Sequence, residues 1–295
     1  MILITGATGF VGRNLVKRFN EEDITVFSRT IRTNFKTLNY SLEDLLVKEC
    51  INQQYDVAIH LAGLAHNNYE LNELRKINVE STLALAKQLA ENGMKRFVFI
   101  SSIGVNGNQT TSVPFNELST PNPHADYAVS KYEAEIQLNK LSKKLGFELV
   151  IIRPPLVYGE NAPGNFKKLY NLIIRGIPLP FGLANNSRSF ISVNNLCDFI
   201  VLSATHPSAA AELFLISDDE NISTKALIGI IWKARGVSSF LFPVPVFIFK
   251  LLFKFLGRSS MAVQLFDNLE VDNSKAKALL GWSPKQSMVD VFKKS

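Results

Sequence analysis

A glycine-rich segment follows the first short apolar run of the chain. Ile2–Thr5 has the aliphatic composition of a buried strand, and Thr5–Gly12 reads Thr-Gly-Ala-Thr-Gly-Phe-Val-Gly ahead of a helical apolar pattern. In such a strand–turn–helix unit, Gly6 permits a tight turn, Gly9 lets the backbone approach a pyrophosphate, and Gly12 lets the helix pack closely on the strand. The start of the helix then offers free N–H groups to phosphates. The segment therefore predicts a dinucleotide site at the beginning of an α/β fold.

Short apolar runs alternate with longer helical patterns through residues 1–155. This alternation is typical of βαβ units, whose right-handed crossovers build a parallel sheet. We therefore predict a Rossmann-type doubly wound sheet and assign residues 1–155 to a dinucleotide-binding domain. The predicted strands are Ile2–Thr5, Ile24–Phe27, Val57–Leu61, Arg96–Ile100 and Glu148–Ile152, and the predicted helices are Val11–Phe19, Glu70–Glu91 and Ala125–Leu145.

Glycine and proline become frequent after Arg153-Pro154-Pro155, and shorter helical patterns follow. Residues 156–295 are predicted to form mainly a smaller substrate domain, interleaved with the first domain and returning strands or helices to it. Its predicted helices are Val193–Ser203, Thr224–Lys233, Phe247–Leu256 and Ser274–Leu280, the last of them capped by Gly281.

The composition argues against several other classes of protein. Hydrophobic residues make up 46% of the 295 residues and charged residues 20%, which supplies enough apolar material for a folded core. The two cysteines form no disulfide framework and the four histidines have no metal-ligand spacing, so we expect neither a disulfide scaffold nor a metal. Because we find no signal-peptide pattern and no long apolar run, we expect a cytoplasmic protein.

The formal net charge of +6 comes from one segment of the chain. Asn221–Phe266 contains six basic residues and no Asp or Glu, and Phe240–Phe266 contains seven of the 21 phenylalanines. One interpretation is a helix at Phe247–Leu256 that packs on the core while Lys250 and Lys254 extend to water. The alternative is a peripheral membrane surface, or a contact with a membrane enzyme, in which these cations favour anionic headgroups. Nucleic-acid binding is not expected, because no recognised motif accompanies the charge.

The second predicted strand ends without an acidic residue. NAD-selective proteins of this fold usually carry Asp or Glu there for the ribose hydroxyls, whereas this chain has Ser28-Arg29, with Arg32 three residues further on. A guanidinium pairs bidentately with a 2′-phosphate, so we predict NADP(H) bound near Arg29 and Arg32. NAD(H) remains the alternative, since an Arg29 that only stacks on adenine would leave the selectivity loose.

Tyr127 and Lys131 lie four residues apart on the predicted helix Ala125–Leu145, and therefore on one face. A neighbouring ammonium stabilises a phenolate, so we expect Lys131 to lower the pKa of Tyr127 toward a range useful for proton transfer. Ser101 and Ser102 follow the predicted strand Arg96–Ile100, at the carboxyl edge where doubly wound sheets bind ligands. Together with Tyr127 and Lys131, these serines are candidates for a catalytic group.

With these motifs the chain resembles the extended short-chain dehydrogenase/reductase family, or NAD-dependent epimerase/dehydratase family, and in particular its nucleotide-sugar branch. The resemblance covers nearly the whole chain. The matching segments are the glycine turn Thr5–Gly12, the mid-sheet cofactor segment His60–Gly63, Asn78, Ser101–Gly107, the Tyr127/Lys131 pair and Ile151–Gly159 beside the nicotinamide.

The resemblance implies a role for each member of the catalytic group. Tyr127 would be the general acid/base at the substrate oxygen, Lys131 would hold the nicotinamide ribose, and Ser102 would hydrogen-bond the same substrate oxygen. The implied cofactor site contains Gly6, Gly9, Phe10, Val11, Gly12, Arg29, Arg32, Leu61, Ala62, Gly63, Asn78, Tyr127, Lys131 and Pro154.

Three later segments resemble nucleotide-sugar elements of the family. Asn165 and Phe166 are expected to meet the diphosphate, and Phe181 is expected to lie against the base. Arg188 is expected to clamp the diphosphate, while Arg258 is either a second clamp or a solvated side chain. The implied substrate is a UDP-linked sugar, and a homodimer is a candidate assembly.

Two departures from the family pattern bear on the reaction. Asn106 stands where the family commonly has Tyr, and Leu156 stands where UDP-galactose epimerases have a substrate-contacting Asn. A net reductase needs exchangeable NADPH, so Ser28-Arg29 favours reduction of a 4-keto sugar. The pattern from Ser101–Gly107 through Arg188-Ser189-Phe190 also resembles the 4-reductases of the family. This resemblance implies that the reduced group is the C4 keto group of a UDP-linked 6-deoxy-N-acetylhexosamine, for surface polysaccharides such as O-antigen. The first alternative is an NAD-dependent UDP-hexose or UDP-N-acetylhexosamine 4-epimerase. The second is a non-catalytic NADP-sensing or scaffold protein.

Overall fold

Ten strands form two sheets in the computed structural model, which describes residues 1–31, 34–65 and 69–293. The strands are β1 (Ile2–Thr5), β2 (Ile24–Phe27), β3 (Lys36–Leu38), β4 (Val57–His60), β5 (Arg96–Ile100), β6 (Glu148–Arg153), β7 (Leu156–Tyr158), β8 (Arg188–Ser192), β9 (Leu213–Leu215) and β10 (Asn221–Ile222). The central sheet is parallel, with the order β3-β2-β1-β4-β5-β6-β9, and a small sheet has the order β10-β8-β7. The predicted Rossmann-type α/β fold is confirmed.

Helices connect these strands and extend the second half of the chain. They are α1 (Phe10–Leu15), α2 (Leu71–Leu74), α3 (Ser81–Glu91), α4 (Asp126–Leu145), α5 (Gly164–Ile173), α6 (Val193–Thr205), α7 (Thr224–Arg235), α8 (Val246–Phe255), α9 (Ser259–Phe266), α10 (Ser274–Leu280) and α11 (Met288–Lys293). Short 3₁₀ segments occur at Val16–Arg18, Glu21–Asp23, Glu43–Leu46, Ile103–Val105 and Pro207–Ala209, and a π-helical segment spans Arg75–Glu80. Within the ranges described, no helix is long and apolar enough to cross a membrane.

The strand order reverses at β1, which lies between β2 and β4. Thr5, the last residue of β1, pairs with Phe27 of β2 and with His60 of β4. In an open parallel sheet, ligands bind in the crevice outside the carboxyl ends of the strands at such a switch point. The glycine segment after Thr5 therefore opens directly onto this crevice.

Both faces of the central sheet are covered by helices. Leu3 and Ile4 are neighbours on β1, both fully buried, and they belong to different core clusters because successive strand side chains point to opposite faces. Ile4 joins the cluster beneath α1 and α6, and Leu3 joins the cluster beneath α3 and α4. This two-sided cover gives the strands their nearly continuous apolar sequences.

Three elements from the second half of the chain belong to the central layer: β9, α6 and α10, whose Ala276 and Leu280 are buried in the same cluster as Ile4. β9 pairs with β6, with Leu213 opposite Ile151, and α6 buries Phe199 and Ile200 in the same cluster as Ile4. The remaining helices α5, α7, α8, α9 and α11 pack with the small sheet around a separate apolar cluster. The second half thus supplies a lobe of its own and part of the central layer.

Two of the predicted helices differ in detail from the structure. The predicted helix Val11–Phe19 keeps α-helical geometry only to Leu15 and then tightens into a 3₁₀ turn. The predicted helix Glu70–Glu91 is interrupted by the π-helical segment Arg75–Glu80, a geometry often found near functional sites. Its apolar spacing gives no sign of this interruption, because one inserted residue shifts the helical face only locally.

Candidate active site

The glycine segment forms the tight turn between β1 and α1. Gly6 has a φ of 73°, and a Cβ at this position would lie 2.7 Å from the backbone N of Ala62. A Cβ on Gly12 would lie 2.1 Å from the carbonyl O of Gly6, so neither position tolerates a side chain. The Gly9 N–H donates to the Gly6 carbonyl at 2.9 Å, which closes the turn.

The N-terminus of α1 suits a phosphate group. Phe10 and Val11 begin the helix, no side chain caps it, and its first turn contains no acidic residue. The first N–H groups of a helix have no partner within it, and together they carry the positive end of the helix dipole. This end of α1 therefore fits the pyrophosphate of a dinucleotide.

Thr5 and His60 hold the neighbouring segment Leu61–Gly63 in place. The Thr5 hydroxyl oxygen accepts from the Ala62 N–H at 3.1 Å and lies 2.8 Å from His60 Nδ1. His60 Nε2 lies 2.9 Å from the hydroxyl oxygen of Thr82 on α3. Burial, aided by the charge of a nearby lysine, lowers the pKa of His60 to about 3, so the ring stays neutral. His60 is therefore a neutral bridge between elements, a role that its sequence position did not indicate.

Asn78 links the same segment to α4, which carries Tyr127 and Lys131. Its Oδ1 accepts from the Leu64 N–H at 2.8 Å, and its Nδ2 donates to the Leu64 carbonyl at 3.1 Å and to Ser130 Oγ at 3.0 Å. The Ser130 hydroxyl in turn donates to the Tyr127 carbonyl at 2.8 Å. A Cβ on Gly63 would lie 2.8 Å from Asn78 Oδ1. The Asn78 amide thus lies behind the cofactor segment and is engaged with the protein itself.

Tyr127 and Lys131 lie one turn apart on α4. Burial raises the pKa of Tyr127 to about 12 and lowers the pKa of Lys131 to about 8. Lys131 Nζ lies 4.4 Å from the centroid of the Phe99 ring, a contact that favours its ammonium form. The expectation that Lys131 lowers the pKa of Tyr127 is wrong for this structure, because burial penalises the phenolate and dominates. The phenol is therefore protonated at neutral pH and able to donate its proton.

A buried ion pair lies one turn beyond Lys131. Glu135 accepts from Arg153 Nε at 2.9 Å, from a second nitrogen of the same guanidinium, and from the Ser101 hydroxyl. Arg153 Nη1 also donates to Asn106 Oδ1 at 2.9 Å, so the residue that departs from the family pattern holds this arginine. Sequence reasoning missed Glu135, although its spacing of four residues from Lys131 placed it on the same face of α4 as the predicted catalytic residues.

Ser102 follows β5 and caps the next 3₁₀ turn, where its Oγ accepts from the Gly104 N–H at 3.1 Å. The Ile103 N–H donates to the Pro154 carbonyl at 3.0 Å, which ties the segment after β5 to the segment after β6. α4 connects these two parallel strands, so its first turn, with Tyr127, also begins at their carboxyl edge. The topology therefore brings the three predicted catalytic residues to one edge of the sheet.

Arg29 is exposed two residues after the end of β2. Because Phe27 pairs with Thr5, Arg29 lies at the same edge of the sheet as the glycine turn. Its neighbour Ser28 is held by a hydrogen bond from its N–H to the Leu38 carbonyl at 3.1 Å. The other predicted 2′-phosphate contact, Arg32, lies outside the described residues.

Asn165 and Phe166 lie in the first turn of α5 with different surroundings. Asn165 is exposed, and its Nδ2 donates to Gln264 Oε1 at 2.7 Å, which links α5 to α9. Phe166 is buried, with its ring stacked at 6.3 Å between centroids on Phe292. The Phe166 side chain is therefore not available to a diphosphate, and this residue could contact one only through its backbone.

Phe181, the predicted contact of the base, is buried among other aromatic rings. Its ring stacks on Phe249 of α8 at 5.7 Å and lies 5.9 Å from the Phe266 ring of α9, both between centroids. The structure therefore makes Phe181 part of the wall formed by α8 and α9, and a base would have to contact the remaining side of the ring.

Arg188 and Arg258 occupy opposite ends of α9. Arg188 is buried on β8, and its Nη1 donates to the carbonyls of Val263 and Asp267, at 3.2 and 2.8 Å, where the helix ends. Burial lowers its pKa to about 10. Arg258 is exposed at the start of the helix. Arg188 is thus held by hydrogen bonds to the end of α9, whereas the Arg258 side chain extends into solvent. In the part of the chain described, no cluster of metal-ligating side chains accompanies either arginine.

The glycine turn, the acid-free end of β2 and the Ser102, Tyr127 and Lys131 side chains all lie at one edge of a seven-stranded parallel sheet. This is the arrangement of an NAD(P)-dependent enzyme of the extended short-chain dehydrogenase/reductase type. The model of the NAD dependent epimerase/dehydratase family matches residues 2–217, and the chain belongs to this family.

Named relatives and solved structures agree with this assignment. The chain is 39% identical to a UDP-glucose 4-epimerase of Vibrio cholerae over 100% of its own length and 94% of the relative. It is 27% identical to a dTDP-4-dehydro-6-deoxyglucose reductase of Escherichia coli over 77% of the chain and 79% of the relative. The crystal structure of a UDP-glucose 4-epimerase from Thermotoga maritima with UDP-glucose superposes with a TM-score of 0.80 at 23% identity, covering 99% of this chain and 96% of that one. This last likeness concerns the fold.

Proposed function

We propose that the protein uses NADPH to reduce the C4 keto group of a UDP-linked sugar. The observation that carries the proposal is the acid-free end of β2, where Arg29 is exposed beside the glycine turn. A carboxylate at this position would repel a 2′-phosphate, whereas a guanidinium pairs with it. A net reductase consumes its dinucleotide in each turnover and so benefits from an exchangeable, reduced cofactor.

Tyr127 is the proposed proton donor in this reduction. When bound, the nicotinamide supplies a hydride to the substrate carbon. Tyr127, with a pKa raised to about 12, holds the proton that the developing alkoxide at C4 needs. Ser102 would hydrogen-bond the same oxygen, and the Lys131 ammonium would fix the ribose beside it.

The proposed substrate is a UDP-linked 6-deoxy-N-acetylhexosamine with a keto group at C4, destined for surface polysaccharide. The UDP moiety is supported by the Vibrio cholerae relative, and the 4-keto-6-deoxy sugar by the Escherichia coli relative, through the substrates in their names. Arg188 would clamp the diphosphate, together with Asn165 and the backbone of Phe166. Phe181 would contact the uracil with the side of its ring that Phe249 and Phe266 leave uncovered.

A second candidate is 4-epimerisation of a UDP-hexose with tightly held NAD. The 39% identity to the Vibrio cholerae UDP-glucose 4-epimerase over the whole chain favours it. Leu156 is exposed at the position where UDP-galactose epimerases carry a substrate-contacting Asn. This difference argues against an epimerase that forms UDP-galactose. The two candidates share the residues of hydride transfer and differ in the fate of the cofactor.

One set of incubations separates these candidates. Purified protein is mixed with NADPH or NAD and with UDP-glucose, UDP-N-acetylglucosamine or a UDP-4-keto-6-deoxy-N-acetylhexosamine. Stoichiometric loss of NADPH with the keto sugar supports the reductase, whereas inversion at C4 without net cofactor change assigns the epimerase. Tyr127→Phe is the control for catalysis, because it should lose orders of magnitude in turnover and still bind NADPH. Wild-type protein that binds NADPH but turns over none of these sugars would favour the sensor or scaffold hypothesis.

A further inference from the structure

One face of α8 consists of large apolar side chains that are exposed to solvent. No residue of this helix is buried. The exposed fractions are 69% for Phe247, 45% for Ile248, 53% for Leu251, 51% for Leu252, 82% for Phe255 and 58% for the adjacent Leu256. Together these side chains expose on the order of 600 Å² of apolar surface, at the upper end of what one patch of a typical monomer presents.

The opposite face of α8 anchors the helix to the second lobe. Phe249 stacks on Phe181 at 5.7 Å and on Phe266 at 4.9 Å between ring centroids, and Val246 and Phe253 join the same apolar cluster. These three α8 positions share one helical face, so the exposed residues must lie on the other. The helix is therefore packed in place and still leaves a broad apolar face uncovered.

The apolar surface continues into the segment before α8. Phe240 and Phe242 are 62% and 40% exposed. Their backbone is fixed, because the Phe242 N–H donates to the Leu179 carbonyl at 3.0 Å and the Gly182 N–H donates to the Phe242 carbonyl at 3.1 Å. Leu183, next to this ladder, is also exposed. The exposed surface thus spans the residues 240–256 and a neighbouring loop.

The charged side chains within the segment Asn221–Phe266 are all basic. Asn221–Phe266 has no acidic residue, and Lys254 and Arg258 are exposed beside the apolar face. Lys250 lies one turn before Lys254 and is paired with Asp267 at 2.5 Å. In a two-fold dimer through this face, Lys254 and Arg258 would face a second copy of the same acid-free segment, whereas anionic headgroups would match them.

We propose that α8 and its flanking residues dock the protein on the surface of an anionic lipid bilayer. The apolar face would enter the boundary between headgroups and acyl chains, with Lys254 and Arg258 against the headgroups, as in interfacial amphipathic helices. The inference goes beyond the proposed reaction and does not depend on it. Phe181 contacts α8 and Arg188 contacts the end of α9, both on the protein side of these helices. Docking would therefore hold the second lobe at the membrane surface.

Co-sedimentation with vesicles tests the proposal with the full chain. Wild-type protein is mixed with vesicles of phosphatidylcholine alone or with added phosphatidylglycerol, and binding is expected only with the anionic lipid. Leu251→Ser with Phe255→Ser should lower the partition coefficient about tenfold or more, because two large apolar side chains no longer leave water. Lys254→Glu should weaken binding to the anionic vesicles roughly fivefold or more. A matched control, Val47→Ser with Leu118→Ser, removes two exposed apolar side chains elsewhere and should bind like wild type.

Three outcomes would overturn the proposal: wild-type protein that stays in the supernatant with both kinds of vesicle, α8 variants that bind as well as wild type, and a control that loses binding equally. Sedimentation velocity tests the alternative that a second copy of the chain covers this face of α8. A wild-type dimer that becomes monomeric in the α8 variant, without vesicle binding, would assign the face to a second copy. Circular dichroism and thermal unfolding should be unchanged in every variant, because the substituted side chains are exposed. NADPH oxidation without vesicles tests the proposed reaction separately.

Discussion

Glu135 and Arg153 form an ion pair in which each side chain is only 4% exposed, one helical turn from Lys131. The pair joins the middle of α4 to the end of β6, and the Ser101 hydroxyl and the Asn106 amide satisfy further hydrogen bonds of the two charges. Buried charges are tolerated only with such partners. The pair therefore fixes α4, and with it Tyr127 and Lys131, relative to the carboxyl edge of the sheet.

Glu135→Gln should strongly destabilise the protein. The substitution leaves the Arg153 guanidinium buried without its counter-charge, and removal of one partner of a buried pair typically costs about 3–5 kcal/mol. The free energy of unfolding from urea titration measures this loss. Glu133→Gln is the matched control on the same helix, because Glu133 pairs with a partly exposed Arg75 and should contribute less than about 1 kcal/mol. Equal losses in the two variants would contradict the assigned role of the buried pair.

Lys131→Met should stabilise the protein at neutral pH and progressively less at alkaline pH. The pKa of Lys131 is lowered from its ordinary value of 10.5 to about 8, so between these pH values the unfolded chain binds more protons than the folded one. Stability from this residue therefore rises with pH through that window and is lost as pH falls toward 8. The advantage of the variant should be about 3 kcal/mol at pH 7 and about 1 kcal/mol at pH 10, less any contribution from the Phe99 contact.

Urea titrations of the wild type and the Lys131→Met variant at both pH values measure this difference. Comparing the two proteins at each pH removes the contribution of all other titrating groups. A difference that does not change with pH would show that the pKa of Lys131 is unperturbed by burial.

Gly12→Ala should abolish NADPH binding and lower the unfolding temperature. Its Cβ would lie 2.1 Å from the Gly6 carbonyl, so α1 would have to move away from β1 and from the turn that is predicted to bind the pyrophosphate. Fluorescence titration with NADPH and thermal unfolding measure the two effects. Gly229→Ala, within α7 and with open space around its Cβ, is the control and should be neutral or stabilising by roughly 0.5–1 kcal/mol. A Gly12→Ala variant that binds NADPH normally would contradict the packing described for the turn.

Arg29→Asp should raise the KM for NADPH roughly 10- to 100-fold and leave the KM for NADH nearly unchanged. Hydrogen bonds to charged groups contribute about 1.5–3 kcal/mol, and only NADPH carries the 2′-phosphate. Lys17→Asp makes the same change of net charge at another exposed position and should affect the two cofactors alike. Similar increases of both KM values in Arg29→Asp would remove the basis for NADP(H) preference.

The strands and helices that depend on residues close together in the chain were predictable from the sequence. The strands of the sheet up to β6, except β3, follow from apolar runs, and α10 with its glycine cap follows from helical spacing. β3 and β9 were not predicted, because strands of three residues carry too little periodicity to be recognised. Among candidate site residues, the position of Tyr127 and Lys131 on one helix face was predictable, because it depends only on spacing within one helix. Glu135 and His60 were missed because their roles depend on partners distant in sequence, Arg153 and Thr82.

The basic, phenylalanine-rich segment shows the same division. Its sequence allowed two interpretations, a helix packed on the core and an exposed apolar surface that contacts a membrane. In the structure, one face of α8 packs on the second lobe and the other face is exposed to solvent. Which phenylalanines are covered depends on Phe181 and Phe266, which come from other elements. No periodicity within the helix could have identified these partners.

The sequence by itself determined the Rossmann-type fold, the glycine turn and the spacing of the Tyr127/Lys131 pair, because these depend on backbone conformation and residue neighbours along one chain segment. Only the tertiary structure decided the charges of the site and the exposure of α8. Burial sets the protonation of Tyr127 and Lys131, and it arises from side chains that the fold brings together from distant parts of the chain.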